Sequence, residues 1–398
     1  MKRVLYLASI IGAIVLVAGV FYFLRYRAEE PGGAAPVPPG GLPQAPPQKI
    51  PAPPLPQTPE GGTPPKEPSG AVVQPGEQKF GVVAHNEVLS YFVDGQNNAI
   101  VVQPDGQIIK ITRGEASALS SSAISNLMKA EFSYDGKRIL AAFGPRSNPE
   151  YSVFNVETKS WKPLASGIKS AAWSPTNYRI AYFRNAALST LDTESAKAAP
   201  QEIMKIRMED ADVFWLSPNQ LLLEDKPSAI YAGSVWSVNI SNKTMAPFAE
   251  GQLGLYSSWD QKAGLGIVFR TDLSRRGGRL GLLDAAGNAL SDIAFLTLPS
   301  KCAFAAGQGA ATSTAGQKIL YCALPRDQEE LGIKTLPDEY IKRSFFTQDN
   351  FYQISLADGS IKEVLSGQLV DGEKLGVFGK NLFFVNRLDK KLYAISLE

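Results

Sequence analysis

The sequence predicts an all-β protein: a β-propeller of four-stranded antiparallel blades, preceded by one transmembrane helix. Three observations predict it. An aromatic-led phrase recurs with a period near 40. Phe132-Ser133-Tyr134-Asp135-Gly136-Lys137-Arg138-Ile139-Leu140 is followed by Trp173-Ser174-Pro175-Thr176-Asn177-Tyr178-Arg179-Ile180-Ala181. Trp215, Trp259 and Phe304 continue the series, at successive spacings of 41, 42, 44 and 45 residues. Such a period with strand-like content is the signature of a blade array. Between these phrases, short apolar runs alternate with turn residues. Ahead of them, a charge-free apolar run and a proline-rich stretch stand apart from the repeats.

The apolar run comes first. Residues 4–24 are 21 positions without a charge, about 30 Å as a helix, enough to cross a bilayer once. Tyr6 and Tyr22 sit near its ends, where amphipathic rings favour the interface. A cleaved signal peptide is the alternative, but the run exceeds a usual signal core and no small-x-small cleavage site follows it. Residues 1–30 are therefore read as an anchor with its flanks. Lys2 and Arg3 before the run balance Arg25 and Arg27 after it, so flanking charge leaves the orientation nearly tied.

Residues 31–76 hold 16 of the 28 prolines and eight glycines. No helix survives that proline density, and no core can form. The stretch reads as a disordered, semi-extended linker that would reach on the order of 140 Å as full polyproline II. Pro51-Ala52-Pro53-Pro54 also matches a docking motif for proline-binding modules, as any such tract does.

Residues 77–398 are read as the propeller. In the unit 127–165, Leu127 to Ser133 is an apolar run ending in an aromatic. Tyr134-Asp135-Gly136-Lys137 is a turn, in which Asp bonds its own backbone and Gly accepts positive φ. Ile139 to Phe143 is a second strand. Tyr151 to Val156 alternates as a half-buried strand should, and Trp161 to Leu164 is the fourth. Blades fall near 80–112, 124–165, 168–206, 210–249, 252–293, 296–365 and 369–397. That gives seven, with six as the alternative count. Residues 80–84 are either the inner strand of the first blade or a closing strand of the last, which otherwise lacks a fourth.

The aromatic-Ser-Pro/Tyr-Asx-Gly/x-Lys/Arg-Ile-Ala phrase resembles the repeat of TolB-like, WD40-like β-propellers over roughly residues 80–398. Trp215's unit lacks the Asp-Gly turn, and Phe304 leads into a Gly/Ala/Thr/Ser stretch. The resemblance implies the propeller fold and an envelope setting. It carries no catalytic residues, and a shared fold does not establish a shared partner.

Residues 1–76 carry six Lys/Arg and four Asp/Glu, leaving 34 of each in the remainder. The propeller is formally neutral, which argues against a nucleic-acid partner. Cys302 and Cys322 flank the Phe304 turn. They are read either as a disulfide closing a hairpin, with the oxidising compartment that implies, or as two buried free thiols. Two thiols and one distant His85 make no metal site. There is no G-x-S-x-G, phosphate loop or H-E-x-x-H, and no cofactor is expected. Glu209-Asp210-Asp212 could mimic a glycosidase pair, but such a group more often marks a solvated loop. Trp173, Trp215 and Trp259 share one repeat position, which marks core packing.

The connections between second and third strands are elaborated at 144–150, 224–233, 271–278 and 325–350, and all should emerge on one face. The last is the longest, with a short helix expected over 337–343. Elaborated loops on a rigid scaffold are where binding tends to reside. Arg275, Arg276, Arg279, Tyr340, Lys342 and Arg343 are the candidate binding residues. The functional expectation is a membrane-tethered, extracytoplasmic scaffold at the cell membrane, binding an envelope protein or cell-wall polymer. The alternative is an envelope carbohydrate-active enzyme, a hydrolase or lyase, with a carboxylate site at the propeller mouth.

Overall fold

The recurring phrase builds a hairpin. Asp135 Oδ1 accepts from Ser133 Oγ at 2.8 Å and from the Lys137 amide at 3.1 Å, and Ser133 Oγ accepts from the Arg138 amide at 3.0 Å. Gly136 has φ +75°, and a Cβ there would fall 2.3 Å from the Phe92 ring of the neighbouring blade. The motif residues therefore serve the turn and its contact with the next blade. The Trp series serves the core: Trp173 and Trp215 are buried, and Trp173 Nε1 donates to the Glu131 carbonyl of the preceding blade at 3.0 Å.

In a computed structural model, residues 79–397 are described, apart from 121–122, 196, 209–210, 273–276 and 306–318. The chain divides into Met1–Glu67 and Pro68–Glu398, and the described residues belong to the second unit. The apolar run 4–24 and the linker 31–76 lie outside the described residues. Among the described residues, no helix is long and apolar enough to cross a membrane.

Seven four-stranded antiparallel sheets follow one another around a ring. Blades 1 to 6 span 90–120, 127–163, 168–205, 212–253, 256–293 and 302–365. Blade 7 spans 372–396 and takes Phe80–Ala84 as its outermost strand. The first strands of blades 1 and 2, 2 and 3, 3 and 4, and 6 and 7 contact one another. Each blade is apolar on both faces, so the core is seven clusters, one at each seam. The cluster between blades 7 and 1 joins Val385 and Leu392 to Val93 and Val101, which closes the ring.

Of the two readings of residues 80–84, the closing strand is the one formed. Phe80 pairs with Ile395 and Gly81 with Ala394. The first blade thus begins at Ser90, and its outer strand is Glu115–Ser120, beyond the 80–112 expected. That strand is almost wholly solvent-facing, so it carries no apolar alternation to reveal it.

Connections between second and third strands, and between blades, open on one face, called here the upper face. The longest runs over 326–348 and holds two short helices, Gln328–Gly332 and Asp338–Ile341. The second falls inside the helix expected over 337–343. Cys302 stands directly opposite Cys322 across the first hairpin of blade 6, and the two are disulfide-bonded.

Ring closure depends on side chains as well as on backbone pairing. The Phe80 ring stacks on Tyr393 at 5.2 Å and on Phe384 at 6.3 Å between centroids. Phe80→Ala should cost about 2 kcal/mol, less than a fully buried Phe, read as a lower urea midpoint with an unchanged slope.

Candidate functional site

The long 326–348 connection spreads over four blades. Asp338 Oδ2 accepts from the Ala229 amide of blade 4 at 2.5 Å. The Leu336 carbonyl accepts from Thr271 Oγ1 of blade 5 at 2.9 Å. On the other side, the Tyr340 carbonyl accepts from Arg387 Nη2 of blade 7 at 3.0 Å, and Arg343 Nη2 donates to Glu373 Oε1 at 2.7 Å. The excursion is fixed to the upper face rather than hanging from it.

Beneath it lies a buried ionic cluster at the seam of blades 6 and 7. Lys301 Nζ donates to Asp349 Oδ2 at 2.6 Å, Asp371 Oδ1 at 2.5 Å and Thr347 Oγ1 at 3.0 Å. Arg387 Nη1 donates to Asp371 Oδ2 at 2.8 Å. All four charged side chains are at most 1% exposed. The Arg387 guanidinium lies 3.9 Å from the centre of the Tyr340 ring, and Lys301 Nζ lies 5.4 Å from it. Burial works to lower Lys301 and to raise Asp349. Lys301 is held protonated by Asp349, Tyr340 and Asp371 together, against its burial. Burial, helped by the neighbouring Asp371 carboxylate, holds the Asp349 carboxyl above its ordinary range despite Lys301.

A cavity of about 390 Å³ is lined by the inner strands of blades 7, 1 and 2, including Tyr91, Lys129, Glu131 and Lys374. Lys129 and Glu131 pair at 2.6 Å. Across the mouth, on blade 4, Asp212 and Glu224 stand opposite each other on adjacent strands, and Lys226 holds Asp212 at 2.6 Å. Glu224 accepts from the Ser257 amide at 3.0 Å and from Ser257 Oγ at 2.8 Å, on the inner strand of blade 5. Burial pushes its carboxyl up to about 7. A half-protonated carboxyl at neutral pH, with a second carboxylate opposite, is an arrangement able to exchange protons.

The candidate residues read from the sequence meet different fates. Arg275 and Arg276 lie outside the described residues. Arg279 is exposed and pairs with Asp272. It lines a 420 Å³ cavity with Asp292, Gln328 and Glu329. Lys342 is exposed at the end of the second helix, 4.0 Å from Asp338, and Arg343 turns toward blade 7. Tyr340 is corrected: it is buried under Arg387 and is no part of the surface. Its ring joins Leu331 and Leu336 of the excursion in the apolar cluster of blades 5 and 6, which a polar helix sequence conceals. His85 is exposed. Lys301, Asp349, Asp371, Arg387 and Glu224 were missed. Each stands at or beside a strand end, with no local motif to mark it. Among the described residues no group of three or more His, Cys, Asp or Glu is placed to hold a metal.

No protein-family model matches the sequence, nor does any curated protein. Solved structures do match. An oligogalacturonate lyase in complex with manganese is 10% identical, covering 80% of this chain and 91% of that one, with a TM-score of 0.52. A chain of the mitotic checkpoint complex is 10% identical, covering 86% and 99%, with a TM-score of 0.51. TolB from Acinetobacter baumannii is 16% identical over 51% of this chain and 53% of its own, with a TM-score of 0.37. At these identities the likeness is one of fold.

Two outcomes test the energetics. Lys301→Met leaves Asp349 and Asp371 facing each other in a dry seam and should cost about 3–5 kcal/mol in chemical denaturation. Glu224 binds its proton more tightly folded than unfolded. Stability should therefore fall as pH rises from about 4.5 through 7, by roughly 1–3 kcal/mol in all. Glu224→Gln, which keeps an acceptor for Ser257, should flatten the melting temperature between pH 5 and 8 relative to the parent.

Proposed function

We propose that this propeller is a membrane-tethered, extracytoplasmic binding module of the cell envelope, and that its upper face holds a protein or polymer partner. One observation carries the reading. Of the eleven large apolar side chains exposed among the described residues, seven lie on upper-face connections of blades 4, 6 and 7. They are Ile230, Tyr231, Ile333, Ile341, Phe346, Leu369 and Leu388. Tyr231 is 74% exposed and Leu369 73%. Clustered apolar exposure on one face of a soluble-type domain marks an interaction surface, and an aromatic beside arginines is a common binding anchor. The tether is supported by the apolar run 4–24 and the proline-rich linker, and the extracytoplasmic side by the Cys302–Cys322 disulfide.

A second reading, a carboxylate-based hydrolase or lyase acting at the mouth, is favoured by the Asp212 and Glu224 pair and by the elevated Glu224 carboxyl. The fold hosts both kinds of protein.

Crosslinking in intact cells, followed by identification of the adducts, separates these readings. Tyr231→Ser with Phe346→Ser should reduce the partner adduct at least tenfold while leaving the melting temperature within a degree or two. An unchanged adduct overturns the binding face. Product release from cell-wall polymers by the purified protein, abolished by Glu224→Gln, would establish the enzyme instead.

A further inference from the structure

A cavity on the upper face spans blades 2, 3 and 4. Its volume is about 1020 Å³, several times what a single ion needs and enough for a short oligomer. Four cations line it: Arg146 from the second-to-third connection of blade 2, Lys169 from the inner strand of blade 3, Arg207 from the connection between blades 3 and 4, and Lys226 from the corresponding connection of blade 4. All four are exposed. Lys226 is held by Asp212, and Lys169 donates to the Ser147 carbonyl at 2.8 Å. Arg146 and Arg207 have no ion-pair partner among the described residues. Glu209 and Asp210, between Met208 and Ala211, lie outside the described residues.

Neutral polar groups are interleaved with these cations. Ser147, Asn148 and Asn185 line the same cavity, and the partly buried Met208 supplies an apolar wall backed by the buried Phe183 and Ala211. Gly167 on its wall has φ +82° and stands before Arg184, whose Nε lies 3.8 Å from where a Cβ at 167 would sit. That Nε is buried without a hydrogen-bond partner among the described residues.

We propose that this cavity binds an acidic polysaccharide, laid across three blades with its carboxylates on Arg146 and Arg207 and its hydroxyls on the Asn and Ser side chains. Cations contributed by three successive blades suit an extended chain rather than a point anion. Guanidinium forks pair carboxylates bidentately. The interleaved amides and hydroxyl match a ligand that carries hydroxyls between its acids, and the apolar wall suits sugar C–H faces. The proposal rests on the reading of the upper face as the binding side and assigns a ligand class to a second site on it, one that does not use Tyr231 or Phe346.

The test is fluorescence polarisation of the full chain in detergent with labelled galacturonic-acid oligomers, beside inorganic polyphosphate and poly-glutamate. Saturable uronate binding is expected, weakened at least tenfold by Arg146→Ala with Arg207→Ala. The salt dependence should fall by nearly two counterions in the same variant. Arg146→Lys with Arg207→Lys should recover part of the affinity. No binding to uronate oligomers, or tighter binding to polyphosphate or poly-glutamate, overturns the assignment, as does an unchanged affinity in the double alanine variant. Tyr231→Ser with Phe346→Ser should leave uronate binding intact, so failure of the apolar face and failure of this cavity are told apart.

Discussion

The structure depends on one backbone pairing, that of Phe80–Ala84 with Leu392–Ser396. Every blade is apolar on both faces and finds its partner only in its neighbours, so an open ring would expose two such faces at once. Pairing the start of the domain with its end makes the seam between blades 7 and 1 like the other six. It also ties together residues over 300 positions apart, for example Lys390 with Glu87, so the ends of the array cannot fray independently.

The two kinds of seam contact do different work. Apolar clusters hold blades together without specifying what lies above them. The Lys301, Asp349, Asp371 and Arg387 cluster adds little net stability for its desolvation, since buried ion pairs seldom exceed a well-packed apolar substitute. What it supplies is direction. Asp371 Oδ2 accepts from the Thr347 amide at 3.0 Å, and Arg387 reaches the Tyr340 carbonyl. The 326–348 excursion therefore has one place to sit, on the upper face across blades 4 to 7. The exposed apolar side chains of the upper face are displayed on that pinned segment and its neighbours.

Much of this was legible residue by residue. The Asp135-Gly136 turn was readable because its chemistry is local, and the Cys302 and Cys322 pairing because a hairpin places them opposite. The long 325–350 connection could be found by the interruption it makes in the repeat. Tyr340 was misread because Asp338, Glu339, Lys342 and Arg343 around it are polar, and the groups that make its ring a core residue, such as Leu298 and the Arg387 guanidinium, lie about 40 or more positions away. Asp371 gave no signal at all. Its partners Lys301 and Arg387 lie 70 and 16 positions away, and no periodicity connects them.

The sequence by itself determined the blade, because turn chemistry and strand alternation are set by neighbours within a few residues. It also determined the order of blades, because the period repeats. Only the tertiary structure decided which strand closes the ring, which charges meet in the seam, and which side chains line the Arg146 and Arg207 cavity. Those outcomes depend on where distant segments come to lie once the ring has formed, and burial, pairing and potential are properties of that arrangement rather than of any segment in it.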